Sequence, residues 1–225
     1  MKAIRMDNSR KLDTLILIGV VAGFLLFILS LIFRPQTVFP ADWFPSDQAA
    51  FAFEVVFSAW CLCEIVNSFW SRKNSGAASQ DKGSVWIVTG AGFIVLLVAF
   101  AYPGGLGSLQ YAGLALAVAG IALREWAILV LGEHFTVRIQ IREKARLVTD
   151  GPYRYIRHPA YTGSLMTYVG LPLAVGSVPG VVMGFVVCIA AYEYRILVEE
   201  KALQDAFGPE YSEYKKRTWK LFPGF

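Results

Sequence analysis

The stretch from Gly151 to Gly163, Gly-Pro-Tyr-Arg-Tyr-Ile-Arg-His-Pro-Ala-Tyr-Thr-Gly, is polar, basic and aromatic in a chain that is otherwise mostly apolar. It holds His158, one of only 2 histidines, directly before Pro159. A residue that precedes proline is pushed out of the helical region toward extended backbone. Proline itself is well suited to the first position of a helix. The motif therefore reads as a structured loop that closes on a helix start near a membrane surface. Such a place suits an anionic, phosphate-like ligand, and equally a ligand of the adenosine type. A plainer reading is a basic segment lying against anionic lipid headgroups. That accounts for the arginines, but not for the order Gly151, Pro152, Tyr153, His158, Pro159, Tyr161.

Other chemically capable residues lie further along. In Tyr192-Glu193-Tyr194-Arg195-Ile196-Leu197-Val198-Glu199-Glu200 the spacing puts Arg195 and Glu199 on one helical face. As a surface ion pair they are worth about 0.3 kcal/mol; beside a membrane, an arginine and a carboxylate can instead line a site. In Phe207-Gly208-Pro209-Glu210-Tyr211-Ser212-Glu213-Tyr214-Lys215-Lys216, Gly208 can end one helix and Pro209 begin the next. Tyr211 and Tyr214 then project on nearby faces, as in a membrane-surface helix. Glu54 and Glu64 stand in an apolar run, where carboxylates are costly and often functional. They are placed to face a polar cavity or to pair with Arg124. His134, beside Glu133 and Phe135, reads better as a helix-end histidine than as a ligand contact. Cys61-x-Cys63 and Cys188 lie in apolar segments and read as packing, since alternate residues on a helix point apart. Two histidines and scattered carboxylates do not make a metal site.

The elements that must position these residues are membrane helices. The chain is 56% hydrophobic and 17% charged, with a mean hydropathy of +0.49, values of an integral membrane protein. After Asp13 an uncharged run from Thr14 to Phe33 gives about 20 residues, enough to cross a bilayer. Further spans are expected at Gln48–Trp70, Val85–Tyr102 and Gly107–Leu131. Tyr161–Gly176 and Val178–Tyr194 are each short for a span, and Gly176, Pro179 and Gly180 break them, so they read as a helical hairpin. The fold expected is an all-α integral membrane bundle of four spans plus a C-terminal hairpin. Residues 1–130 hold the four spans and residues 131–225 the loop, hairpin and C-terminal helix. Basic residues cluster before the first span, between the second and third, after the fourth and in the tail. By the positive-inside rule both termini and the Gly151–Gly163 motif face the cytoplasm. Membrane orientation thus explains the basic clusters without nucleic acid. Oligomeric state is open at this level.

The order Leu-Val-Thr-Asp-Gly-Pro-Tyr, Arg-His-Pro-x-Tyr-x-Gly, apolar hairpin, Arg-x-x-x-Glu-Glu and Phe-Gly-x-x-Tyr-x-x-Tyr-Lys-Lys resembles the isoprenylcysteine carboxyl methyltransferases, and more distantly the phospholipid methyltransferases. The resemblance covers about residues 130–223; the first three spans match only in being apolar. It implies S-adenosyl-L-methionine as cofactor, S-adenosyl-L-homocysteine as product, and a lipophilic acceptor that enters from the bilayer among membrane lipids. It implies a cofactor pocket on the cytoplasmic side lined by Gln140, the run Ala145, Arg146, Leu147 and Val148, and Tyr153. His158, Pro159, Ala160 and Tyr161 form the His-Pro part of that set, with Glu199 and Glu200 beyond the hairpin. Arg195 matches an arginine that meets the substrate carboxylate, and Arg157 joins Arg195 and Glu199 as a catalytic candidate. The implied reaction is O-methylation of a prenylcysteine-like acid. N-methylation of a phospholipid amine and S-methylation of a thiol are alternatives that require a base, for which Glu200 and Tyr161 are the candidates. An inactive scaffold or lipid-binding protein is a further alternative, and membrane sterol reductases share parts of the C-terminal pattern.

Overall fold

The computed structural model describes residues 39–74, 81–139 and 146–224. The expected first span, Thr14–Phe33, lies outside them, as do Gln140 and Ala145. The described residues form α1 (Asp47–Asn74), α2 (Ser84–Ala101), α3 (Leu109–Leu131), α4 (Pro159–Ala174), α5 (Val178–Phe207) and α6 (Pro209–Lys216). Single 3-10 turns stand at Ala41–Trp43, Gly132–His134 and Gly151–Arg154. Helices α1, α2, α3 and α5 are long and apolar enough to cross a membrane, which is the all-helical membrane bundle expected from composition. A helix is the form in which a chain satisfies its own backbone polar groups inside lipid.

The hairpin differs from the sequence expectation. Its first arm, α4, is 16 residues long. Its second arm does not stop at Tyr194: α5 runs for 30 residues to Phe207 and has the length of a span. The reason is that no helix breaker follows Tyr194 until Gly208-Pro209, and the helix keeps a buried side through Arg195, Ile196 and Ala202. The charged residues that look like the end of an apolar helix ride on its last turns. Between the arms, Gly176 adopts a φ of 71°, and the Ser177 hydroxyl caps α5 by accepting from Gly180 N at 3.2 Å.

Close backbone approach fixes α4 against α3. A Cβ on Gly120 would lie 2.6 Å from the Gly163 carbonyl oxygen, and one on Gly163 would lie 2.5 Å from that of Gly120. Small residues of this kind let membrane helices pack backbone to backbone. One turn further, Arg124 donates from Nε and Nη2 to Glu64 Oε1 and Oε2 at 2.8 and 3.1 Å, and from Nη1 to Ser164 Oγ at 2.9 Å. Glu64 therefore takes the Arg124 pairing foreseen for it, and the fork ties α1, α3 and α4 together. Glu54, only 2% exposed, accepts from Phe39 N at 3.3 Å. The cysteines are free, and Cys61 and Cys188 pack in apolar clusters as expected.

The C-terminal segment is a clasp rather than a helix lying free on the membrane. Helix α6 begins at Pro209 as anticipated, but Tyr211 and Tyr214 are both buried. Tyr214 Oη donates to Tyr153 O at 2.7 Å. Beyond α6 the chain pairs with the His-Pro motif: Arg157 N donates to Trp219 O at 2.8 Å, Trp219 N to Tyr155 O at 3.0 Å, and His158 N to Lys220 O at 3.2 Å. Thr162 Oγ1 adds a bond to Leu221 O at 2.8 Å.

Candidate active site

The local sequence dictates the start of the site. His158 caps α4 with φ −125° and ψ 57°, outside the helical region, and Pro159 opens the helix, as the His-Pro junction requires. That turn drives the His158 ring inward, where it is 4% exposed. Three helical residues on, Tyr161 lies parallel to it, with ring centroids 5.6 Å apart at 12°. Tyr192 of α5 stacks on the other side of Tyr161 at 5.4 Å and 17°. A column of three rings thus joins α4 to α5.

The Tyr161 hydroxyl is the hinge of the polar network. It donates to Glu199 Oε2 at 2.6 Å and accepts from Arg195 Nε at 2.7 Å. A guanidinium only donates, so the phenolic proton is committed to Glu199. Arg195 also donates from Nη1 to Asp81 Oδ1 at 2.9 Å and Ser84 Oγ at 3.0 Å, and from Nη2 to Val137 O. The shared helical face of Arg195 and Glu199 is therefore used through a tyrosine. Arg195 is buried in an ion pair with Asp81, with side-chain exposures of 7% and 2%, unlike the surface pair that spacing alone allows.

Glu199 is the open member of the set. Its side chain is 29% exposed, against 12% for Glu200 and 10% for Arg157. His158 sits between the two carboxylates, with Nε2 3.3 Å from Glu200 Oε1 and Nδ1 3.7 Å from Glu199 Oε2. Glu200 also accepts from Arg157 Nε at 3.0 Å and Lys215 Nζ at 2.6 Å. Arg157 donates onward to Lys215 O at 3.2 Å and to Thr218 O, so its side chain holds the clasp. The Tyr153 phenol is buried, and burial followed by the nearby charge of Glu199 pushes it well above its usual range. It is therefore a proton donor at neutral pH.

The structure thus gathers His158, Pro159, Tyr161, Arg195, Glu199, Glu200 and Arg157 into one network, with Tyr153 beside it. Ala160 is half-buried in the first turn of α4. Leu147 and Val148 are half-buried and Arg146 exposed in the segment that leads to Gly151. His134 ends the 3-10 turn after α3, a helix-end position as foreseen. Asp81, Ser84 and the Val137 carbonyl were not foreseen. The one sequence signal for Asp81 is its place just before α2, where it caps Val85 N through Oδ2 at 3.1 Å. That signal indicates a helix start and says nothing of Arg195.

Parts of the chain are similar to known proteins. Residues 109–210 match the family model described as phospholipid methyltransferase. A probable protein-S-isoprenylcysteine O-methyltransferase of Oryza sativa subsp. indica is 33% identical over 116 residues, which is 51% of this chain and 61% of that protein. Protein-S-isoprenylcysteine O-methyltransferase B of Arabidopsis thaliana is 37% identical over 108 residues, 47% of this chain and 55% of that protein. The chain therefore matches these relatives over less than two thirds of their length. In fold it is similar to a solved eukaryotic intramembrane Ras methyltransferase, an isoprenylcysteine carboxyl methyltransferase, with a TM-score of 0.56 at 17% identity over 94% of this chain and 85% of that one. Through the segment that carries the His-Pro motif, Arg195 and the paired glutamates, this chain is similar in sequence to isoprenylcysteine methyltransferases and to the phospholipid methyltransferase model, and it shares the fold of the solved membrane enzyme.

Proposed function

We propose that the chain is an S-adenosyl-L-methionine-dependent membrane methyltransferase that esterifies a lipophilic, prenylcysteine-like carboxylate. The observation that carries this reading is the Tyr161 hydroxyl, held between Arg195 and the open carboxylate of Glu199. The donor set fits the cofactor. Glu199 offers a partly exposed anion to hydroxyl or ammonium groups, and the Tyr153 phenol remains a donor. When bound, S-adenosyl-L-methionine supplies an electrophilic methyl group on a cationic sulfur and leaves as S-adenosyl-L-homocysteine.

The residues then have to align the acceptor and exclude water. Arg195, one turn before Glu199 on α5, is joined to that carboxylate through Tyr161 and orients an acidic acceptor. A carboxylate is ionised at neutral pH, so no general base is needed. The alternative acceptors need one, and neither candidate for it is free: Glu200 is enclosed by Arg157, Lys215 and His158, and Tyr161 already gives its proton to Glu199. This supports an acid over an amine or thiol. The acceptor enters from the bilayer, and the distribution of basic residues in the sequence supports a cytoplasmic site and cytoplasmic termini. The test is transfer of labelled methyl groups in sealed vesicles, offering a farnesylcysteine-type acid and an ethanolamine lipid. Label in the acid, from cofactor added to inverted vesicles alone, is the expected result. Label in the amine overturns the acceptor, and turnover only in right-side-out vesicles overturns the orientation.

A further inference from the structure

Arg195 is almost fully occupied by its own chain. Of the five N–H groups a guanidinium carries, Nε serves Tyr161, Nη1 serves Asp81 and Ser84, and Nη2 serves Val137 O. Among the described residues four are thus engaged. Asp81 is equally committed: Oδ1 accepts from Arg195 and from Ser84 Oγ, the latter at 3.0 Å, and Oδ2 accepts from Val85 N. The pair is buried, and Asp81 lies before the matched segment 109–210. A free arginine takes a carboxylate with two parallel N–H bonds. With Nε and both Nη1 hydrogens taken, no such fork is left to an incoming carboxylate.

We propose that Asp81 is a positioning residue that makes Arg195 a weak, single-point receptor for the acceptor carboxylate. This rests on the reading of Arg195 as the acceptor's partner. Asp81 cancels the charge that would hold the acceptor tightly and occupies the Nη1 side of the guanidinium. One acceptor oxygen meets the remaining Nη2 hydrogen, and the other stays unpaired and nucleophilic. In a displacement, an ion pair stronger in the ground state than in the transition state slows the reaction. Asp81 therefore lowers acceptor affinity and raises turnover.

The test uses the full chain in detergent. Its probes are a farnesylcysteine-type acid and the matching amide, bound in the presence of S-adenosyl-L-homocysteine, together with steady-state kinetics. Asp81→Asn keeps the shape and a cap acceptor but removes the charge. Its Kd and KM for the acid should fall roughly fivefold and its kcat roughly tenfold, with amide affinity constant within about twofold. Asp81→Glu keeps the charge, and its affinity for the acid should stay within about threefold of the unaltered chain. Unchanged or weaker acid binding in Asp81→Asn overturns the proposal, as does an equal shift for the amide or the same shift in Asp81→Glu. Loss of S-adenosyl-L-homocysteine binding in Asp81→Asn also overturns it, because Asp81 is then structural. An unaltered chain that binds S-adenosyl-L-homocysteine but not the acid refutes the acceptor assignment instead, a result distinct from any of these.

Discussion

One phenolic oxygen ties α4 to α5. Tyr161 Oη accepts from Arg195, gives its proton to Glu199, and stands on a ring clamped between His158 and Tyr192. Tyr161→Phe keeps that stack and removes only the oxygen, leaving a buried arginine N–H and a carboxylate each short of a partner. Charge-assisted bonds of this kind are worth about 1.5–3 kcal/mol, so kcat/KM should drop roughly thirtyfold, while S-adenosyl-L-homocysteine affinity falls much less. Kinetics and calorimetry on the same preparation check this; turnover within about twofold of the unaltered chain would refute it. At this scale the sequence was readable wherever local chemistry forced the outcome. The His158-Pro159 junction required a loop-to-helix corner, and the Arg195–Glu199 spacing required one face. Asp81 was not readable, because its partner is 114 residues away and a capping aspartate before a span looks the same with or without an arginine above it.

At the scale of elements, the length of α5 and the return of the C-terminal segment decide the site. Because α5 continues unbroken to Phe207, Arg195, Glu199 and Glu200 are held at fixed rotations on a packed helix. The sequence suggested two short arms, since apolar character thins after Tyr194; helix continuity follows instead from the absence of a breaker before Gly208. The clasp was hidden for another reason: pairing of residues 155–158 with 219–220 is non-local and leaves no periodic pattern. Arg157 fastens it through Glu200 Oε1, Lys215 O and Thr218 O. Arg157→Ala should release the segment after α6, and tryptic cleavage at Arg217 or Lys220 should quicken roughly tenfold with the bundle intact. Equal protection in the two proteins would show that Tyr214 and the backbone pairing hold the clasp without Arg157.

Over the whole molecule, the site is shared between the matched segment and the helices before it. Residues 109–210 carry the His-Pro motif and the glutamates, yet Arg195 is anchored by Asp81 and Ser84 at the start of α2. The bundle is therefore more than a membrane anchor for its C-terminal part: the Glu64–Arg124–Ser164 fork and the Gly120–Gly163 seam hold the floor on which Tyr161 stands. Composition announced the membrane bundle, whereas the joining of its two parts depends on single buried pairs. Under the proposed function Glu199, oriented by Tyr161, holds the nucleoside cofactor, and the most direct test is calorimetric titration of the detergent-solubilised chain with S-adenosyl-L-homocysteine. One-site binding at a Kd of about micromolar order, weakened roughly tenfold by Glu199→Gln, is the predicted result. No saturable binding to the folded chain, or equal affinity in Glu199→Gln, would contradict it.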